Sequence, residues 1–312
     1  MRTEHDIAAV NSMVKSGEIK SYIEWYERHF DKKIEKIAGS LRDNMKDTRV
    51  AFIAGPSSSG KTTFTLKLES VMDKMGLDAW TISLDDFYLP REKTPKKADG
   101  TYDFETVDAL DLELLGKNFT ELFKKGATNM PLFDFTKGEP SPDKKHVELK
   151  SDSFFLVEGM HALNNRIDER LGDIRSTRIY ISLLSDLTLD GATFADKRTL
   201  RLMRRMVRDF KFRNATAEQT LSMWDGVLWG DVHYVKPFEN RADIVIDSFF
   251  PYEAGVIRPY VSQMLSGIGS ESVYCEKCGE ILAMLEKVEP IDEELVPVTS
   301  LSREFFGYSI YY

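Results

Sequence analysis

The densest chemical signal in the chain is Gly55-Pro-Ser-Ser-Ser-Gly60-Lys61-Thr62-Thr63. Glycine, four residues, then Gly-Lys-Thr is the spacing of a phosphate-cradling P-loop. Its glycines let the main chain turn tightly enough for successive N–H groups to face inward. A helix that follows adds its unpaired N-terminal amides and the positive end of its dipole. Lys61 is expected to reach the β and γ phosphates and Thr62 to ligate Mg²⁺, with Gly55, Ser57, Ser58, Ser59, Gly60 and Thr63 lining the cradle. The ligands this predicts are ATP or GTP and Mg²⁺.

Two acids stand where such a nucleotide could use them. Ser83-Leu-Asp85-Asp86 follows the apolar run AWTISL, and Glu158-Gly159 follows SFFLV. In an open α/β sheet, ligands gather beyond the carboxyl ends of the strands. Asp85, the first acid after its strand, is read as the group that accepts a proton from an attacking hydroxyl. Asp86 reads better as a cap or turn residue. Glu158 is read as an acid on the metal side, where Mg²⁺ keeps several waters that a carboxylate can orient.

A third feature is electrostatic. Between Lys197 and Arg213 lie eight basic residues and one acid, Asp209, in a chain with 42 Lys and Arg against 51 Asp and Glu. Helical spacing puts Arg198, Arg201, Arg205 and Arg208 on one face, where guanidiniums would repel unless phosphates faced them. The expectation is a lid helix closing over the transferring phosphoryl group, within a lid of about residues 190–215. Thr216-Ala-Glu-Gln219 matches a capping box, so a new helix starts there.

The elements that must hold these groups follow from periodicity. The first 48 residues read as a helical extension packed on the rest, with Ile19, Ile23, Tyr26, Phe30, Ile34 and Ile37 on one face. Strands are expected at 50–54, 79–84, 153–157, 178–183 and 242–247, and a helix from Lys61 to Gly76. Further helices are expected at about 109–125, 186–211, 216–228 and 252–265. Alternation of this kind predicts an α/β fold, a mostly parallel sheet with helices on both faces. Residues 85–104 read as a functional loop and 126–150 as a small β excursion. Residues 49–312 would form one kinase-type domain.

Composition removes other classes. A net charge of −9 argues against a protein whose main task is coating nucleic acid. Two cysteines, Cys275 and Cys278, cannot build a disulfide framework and lack a second pair for zinc, so they read as ordinary thiols. No apolar run approaches the ~18 residues a membrane span needs, and a cytoplasmic setting is the expectation. His161 is left between a ligand contact and a structural role. Trp224 and Trp229 read as packing residues.

Taken together, GPSSSGKTT, SLDDFY, Tyr102-Asp-Phe-Glu105, Asp108-Ala-Leu110, Pro131-Leu-Phe-Asp-Phe135, LVEG and RRMVRD resemble the uridine kinase and phosphoribulokinase group of P-loop kinases. The match runs in order over residues 50–250. TSLSREFF and ADIVIDSFFPYEAGVIRPY extend it toward bacterial uridine kinase-like proteins, whose kinase part follows domains similar to the front of threonyl-tRNA synthetase. Those front domains are lacking here, as in a natural short form or a fragment.

The resemblance implies a P-loop fold and transfer of a γ-phosphoryl group to the 5′-hydroxyl of a pyrimidine nucleoside. By position it makes Asp85 the general base and Glu158 the metal-associated acid. Arg205 and Arg208 become lid arginines near substrate and phosphate, and Glu105 the carboxylate for the ribose hydroxyls. Phe133 falls beside the base. Where uridine kinases place Tyr, His, Arg and Gln around the base, this sequence has Phe133, Gly138, Ala215 and Met223. The acceptor is thus expected to be a nucleoside-like small molecule, or another metabolite such as a sugar phosphate or vitamin precursor. A regulatory nucleotide-binding module is the competing class. Neither nucleic acid nor membrane is an expected partner, and self-association is left open.

Overall fold

The computed structural model describes residues 5–311. Residues 1–4 of the expected N-terminal extension and residue 312 lie outside the described residues. The extension contains helices α1 (Ile7–Ser16) and α2 (Ile19–Asp43). On α2, Ile19, Ile23, Glu27, Phe30, Ile34, Ile37 and Leu41 are buried, three or four residues apart, so the helix packs by one stripe.

β1 (Val50–Ala54) runs into the Gly-rich loop, and α3 (Lys61–Lys74) leaves it. Then come β2 (Asp78–Ser83), α4 (Leu112–Lys125), β3 (Ala127–Asp134), β4 (Glu139–Glu148), β5 (Ser153–Glu158), α5 (Asn165–Leu171) and β6 (Thr177–Ser182). The second half comprises β7 (Leu187–Leu189), β8 (Ala192–Ala195), α6 (Lys197–Arg213), α7 (Ala217–Gly230), β9 (Ile244–Asp247), α8 (Glu253–Ser266), α9 (Cys275–Leu285) and α10 (Arg303–Phe306).

Five strands pair in parallel in the order β2-β5-β1-β6-β9. Because side chains alternate across a strand, β1 feeds two cores. Ala51 and Ile53 face the side holding α2, α3, α6 and α8, whereas Val50, Phe52 and Ala54 face α4 and α5. All five residues of β1 are buried, as a central parallel strand covered on both faces requires. Register sets Glu158 beside Ser83 on one flank and beside Ile53 on the other, so three strand ends open at one level.

The β excursion is the antiparallel pair β3–β4. Asp86 anchors it, its Oδ1 accepting a hydrogen bond from the Phe133 N–H at 3.1 Å. The capping box at Thr216 and Gln219 is present and starts α7.

Two expectations need correcting. The helix expected over 186–211 begins only at Lys197, because residues 187–195 form the hairpin β7–β8. Its turn holds Asp190 at φ 51° and Gly191 at φ 81°, the conformation an Asp-Gly hairpin turn requires. Trp224 is a core residue as expected, but Trp229 is 47% exposed and stacks on His233 with ring centroids 4.0 Å apart.

Candidate active site

A cleft of about 780 Å³ opens at the carboxyl ends of β1, β2 and β5. The Gly-rich loop forms its floor. Ser58 is buried with φ 59°, and the Ser58 and Ser59 hydroxyls have no hydrogen-bond partner among the described residues. A Cβ at Gly55 would collide with the Ile181 carbonyl and lie 2.7 Å from Ser59 Oγ, so only glycine lets the loop close against β6. Lys61 lines the cleft with no ion-pair partner among the described residues. Buried hydroxyls without partners beside an ammonium that makes no ion pair, at the N-terminus of a helix, fit a polyphosphate.

Asp85 comes two residues after β2, in a short 3₁₀ turn over Leu84–Phe87 that Ser83 caps, its Oγ accepting from the Asp85 N–H at 3.3 Å. Its exposed carboxylate lines the cleft with Lys61 and Thr62. Glu158 sits deeper, 4% exposed, with Oε1 accepting from the Ser83 hydroxyl at 2.9 Å. Burial pushes its carboxyl up to about 7. The charges of Asp85 and Glu304 add to the shift, while Lys61 and the Ser83 hydrogen bond oppose it.

On the opposite wall, Arg205 donates from Nη1 to Ser57 Oγ at 2.8 Å, and its Nε lies 3.2 Å from Asp209. Arg208 also meets Asp209, at 2.9 Å, and both arginines line the cleft. Of the expected four-arginine face, only Arg205 and Arg208 line the cleft. Arg201 is paired with Asp231 and lies over Trp224, and Arg198 is exposed outside the cleft. Arg204, next to Arg205 in sequence, is buried against Glu253.

The other end of the cleft is aromatic. Tyr88, Phe104, Phe133 and Phe135 line it beside Glu105, whose carboxyl burial raises and Arg205 opposes. The Tyr88 hydroxyl donates to the Phe104 carbonyl at 3.1 Å. Gly138 lies at the same end, but Ala215 and Met223 do not line the cleft. At Gly138, φ 74°, a Cβ would come 3.0 Å from the Arg91 guanidinium, which has no hydrogen bond or ion pair among the described residues.

Several site groups carried no sequence assignment. Arg91, Arg213 and Glu304 line the cleft, Ser83 orients Glu158, and Asp209 gathers three arginines. Only Ser83 had a usable signal, as the hydroxyl just before the acidic pair. His161 is 3% exposed and does not line the cleft, and burial lowers it to about 4 against the raising effect of the Glu105 backbone. Cys275 and Cys278 are free thiols. Among the described residues no helix is long and apolar enough to cross a membrane.

The sequence model of the Phosphoribulokinase / Uridine kinase family matches residues 50–251, the segment that builds the sheet and all of this cleft except Glu304. The chain belongs to that family. It is a kinase of the P-loop fold. The uridine kinase of Saccharomyces cerevisiae is 31% identical over 63% of this chain and 36% of its own length. That of Macrococcus caseolyticus is 27% identical over 65% of this chain and 89% of its own. The chain thus matches little more than a third of the yeast relative. Among solved structures, the D-glycerate 3-kinase of Cryptococcus neoformans var. grubii is 18% identical with a TM-score of 0.47, over 64% of this chain and 87% of that one.

Proposed function

We propose that this family member transfers the γ-phosphoryl group of ATP or GTP to a hydroxyl of a small molecule, foremost the 5′-hydroxyl of a nucleoside. The observation that carries the reading is Asp85 in the same cleft as Lys61, Thr62 and Arg205, at the end of the strand beside Glu158. A carboxylate there accepts the acceptor's proton as its oxygen bonds to the γ phosphorus. The bond from that phosphorus to the β-γ bridging oxygen breaks, and the nucleoside diphosphate leaves.

Lys61 and the loop amides hold the phosphates, and Arg205 and Arg208 meet the charge that spreads over the transferring group. Thr62 and Glu158 are the residues that would hold Mg²⁺. A hydroxyl with one acid suits an ion that keeps most of its waters, and the described residues form no cluster of three or more His, Cys, Asp or Glu. When bound, Mg²⁺ neutralises charge on the β and γ oxygens. Glu105 is suited to bind two adjacent hydroxyls, and Phe133 with Phe104 and Phe135 gives a flat ring faces to stack on.

One observation favours a second acceptor class. Where uridine kinases read a base through polar groups, this cleft offers Phe133, Gly138 and the unpaired Arg91 guanidinium. An acceptor carrying a phosphate or carboxylate would pair with it.

A panel of nucleosides, sugar phosphates and hydroxy acids, incubated with Mg²⁺ and ATP or GTP and read by mass, tests both classes. Asp85→Asn should lower turnover of the acceptor found by roughly 10² to 10⁴ with Mg-ADP affinity unchanged. Full rate in that variant refutes the base assignment, and a panel without any phosphorylated product refutes the acceptor classes.

A further inference from the structure

The phosphate cradle already holds an anion, and it comes from the chain itself. Thr63 is the third residue of α3, so its N–H is among those a helix leaves unpaired and a P-loop directs at phosphate. That N–H donates to Glu304 Oε2 at 3.1 Å, and the Thr63 hydroxyl donates to the same oxygen at 2.9 Å. Glu304 lies 241 residues later, half-buried on α10, and it lines the cleft.

The segment that delivers it is firmly seated. Leu301, Phe305 and Phe306 are fully buried, and Leu301 packs so closely on the loop that a Cβ at Gly60 would lie 2.8 Å from its Cγ. Arg303 donates to the carbonyls of Val296 at 2.6 Å, Glu293 at 2.7 Å and Gly307 at 3.2 Å. The Lys67 ammonium donates to the Thr299 carbonyl at 2.9 Å, tying the segment to the middle of α3. Backbone and flanking side chains are therefore fixed, and the Glu304 side chain is the part that can turn away.

We infer that Glu304 is a built-in competitor of the donor nucleotide: its carboxylate occupies a phosphate position at the head of α3, and a nucleotide binds by displacing it. This rests on the nucleotide reading proposed above. Two like charges cannot share one donor pair, and the carboxylate is held in place by its own chain, so it competes without dilution. Nucleotide affinity is therefore set partly by Glu304 as well as by the loop. A free phosphate chain, with no base or sugar, meets the same competition.

The test is calorimetric titration of the full chain with Mg-ADP and, separately, with inorganic tripolyphosphate. Glu304→Gln removes the charge and keeps the shape. Both ligands should then bind about tenfold tighter or more, the equilibrium worth of a hydrogen bond to a charged group. Glu294→Gln, an exposed change of the same charge nearby, should leave both affinities at the wild-type value. Adenosine, which lacks phosphate, should bind Glu304→Gln no better than wild type.

Unchanged or weaker Mg-ADP binding in Glu304→Gln overturns the inference, because Glu304 would then be neutral or a nucleotide contact. Equal tightening in Glu294→Gln or with adenosine also overturns it, since the effect would be general. Failure of the nucleotide reading looks different: neither wild type nor Glu304→Gln binds Mg-ADP, and both inferences fall. Binding by wild type that Lys61→Ala abolishes upholds the nucleotide reading whatever Glu304→Gln does.

Discussion

Arg204 and Arg205 are neighbours in sequence with opposite environments, and replacing each by Met should have opposite effects. Arg204 is 1% exposed, meets both carboxylate oxygens of Glu253 and donates to the Ser248 carbonyl at 2.7 Å. Its guanidinium also lies 4.7 Å from the centre of the Phe305 ring. Arg204→Met leaves Glu253 buried without a countercharge. Breaking one partner of such a pair costs roughly 3 to 5 kcal/mol, against a total stability of about 5 to 15 kcal/mol. With a urea slope near 3 kcal/mol per molar, the unfolding midpoint should fall by roughly 1 to 2 M. Adding Glu253→Gln should recover much of that loss, because no unpaired charge then remains. Arg205→Met is different, since Asp209 keeps Arg208 and Arg213 as partners. Its midpoint should move by about 0.5 M or less, while turnover of the acceptor found falls by about 10³ or more. The reasoning fails if Arg204→Met unfolds with the wild type, or if Arg205→Met loses stability and keeps its rate.

Two further outcomes follow from the loop and its acid. Gly55→Ala should lower Mg-ADP affinity by roughly 100-fold with the circular dichroism spectrum retained, because the added Cβ strikes the Ile181 carbonyl. Gly39→Ala, in α2 with nothing within 4 Å, should instead stabilise by up to about 1 kcal/mol, and equal effects of the two would refute the contact argument. Glu158, raised by burial from 4.5 to about 7, keeps a proton that the unfolded chain releases between those values. Unliganded stability should therefore fall as pH rises from about 4.5 to 7, by on the order of 3 kcal/mol from this group. Glu158→Gln should abolish that part of the slope in urea unfolding, and parallel pH profiles of the two proteins would rule the shift out.

What could be read from sequence was local, and what could not was decided by distant partners. The cradle was legible because strand, loop and helix are contiguous in sequence, so the spacing of its residues alone sets the turn. The placement of Asp85 and Glu158 was legible because parallel strands fix which end faces ligand, and the register sets Glu158 level with Ser83, two residues before Asp85. The hairpin at 187–195 was missed by a wrong choice of period. Asp190-Gly191 between short apolar runs is a hairpin signal, but the longer helical pattern behind it was extended across it.

The basic helix shows the deeper limit. Periodicity tells which arginines share a face of α6, yet what each guanidinium meets depends on Asp231 and Glu253, 30 and 49 residues further along. A countercharge that far away has no spacing rule, so a paired structural arginine and a phosphate-facing one look the same in sequence. Glu304 is the extreme case. Its contact with Thr63 spans 241 residues and is delivered by a segment whose role only the packed fold defines. Charge in this cleft is therefore set by pairing at two ranges: Asp209 holds Arg205, Arg208 and Arg213 within its own helix, and Glu304 reaches the cleft floor from 241 residues away.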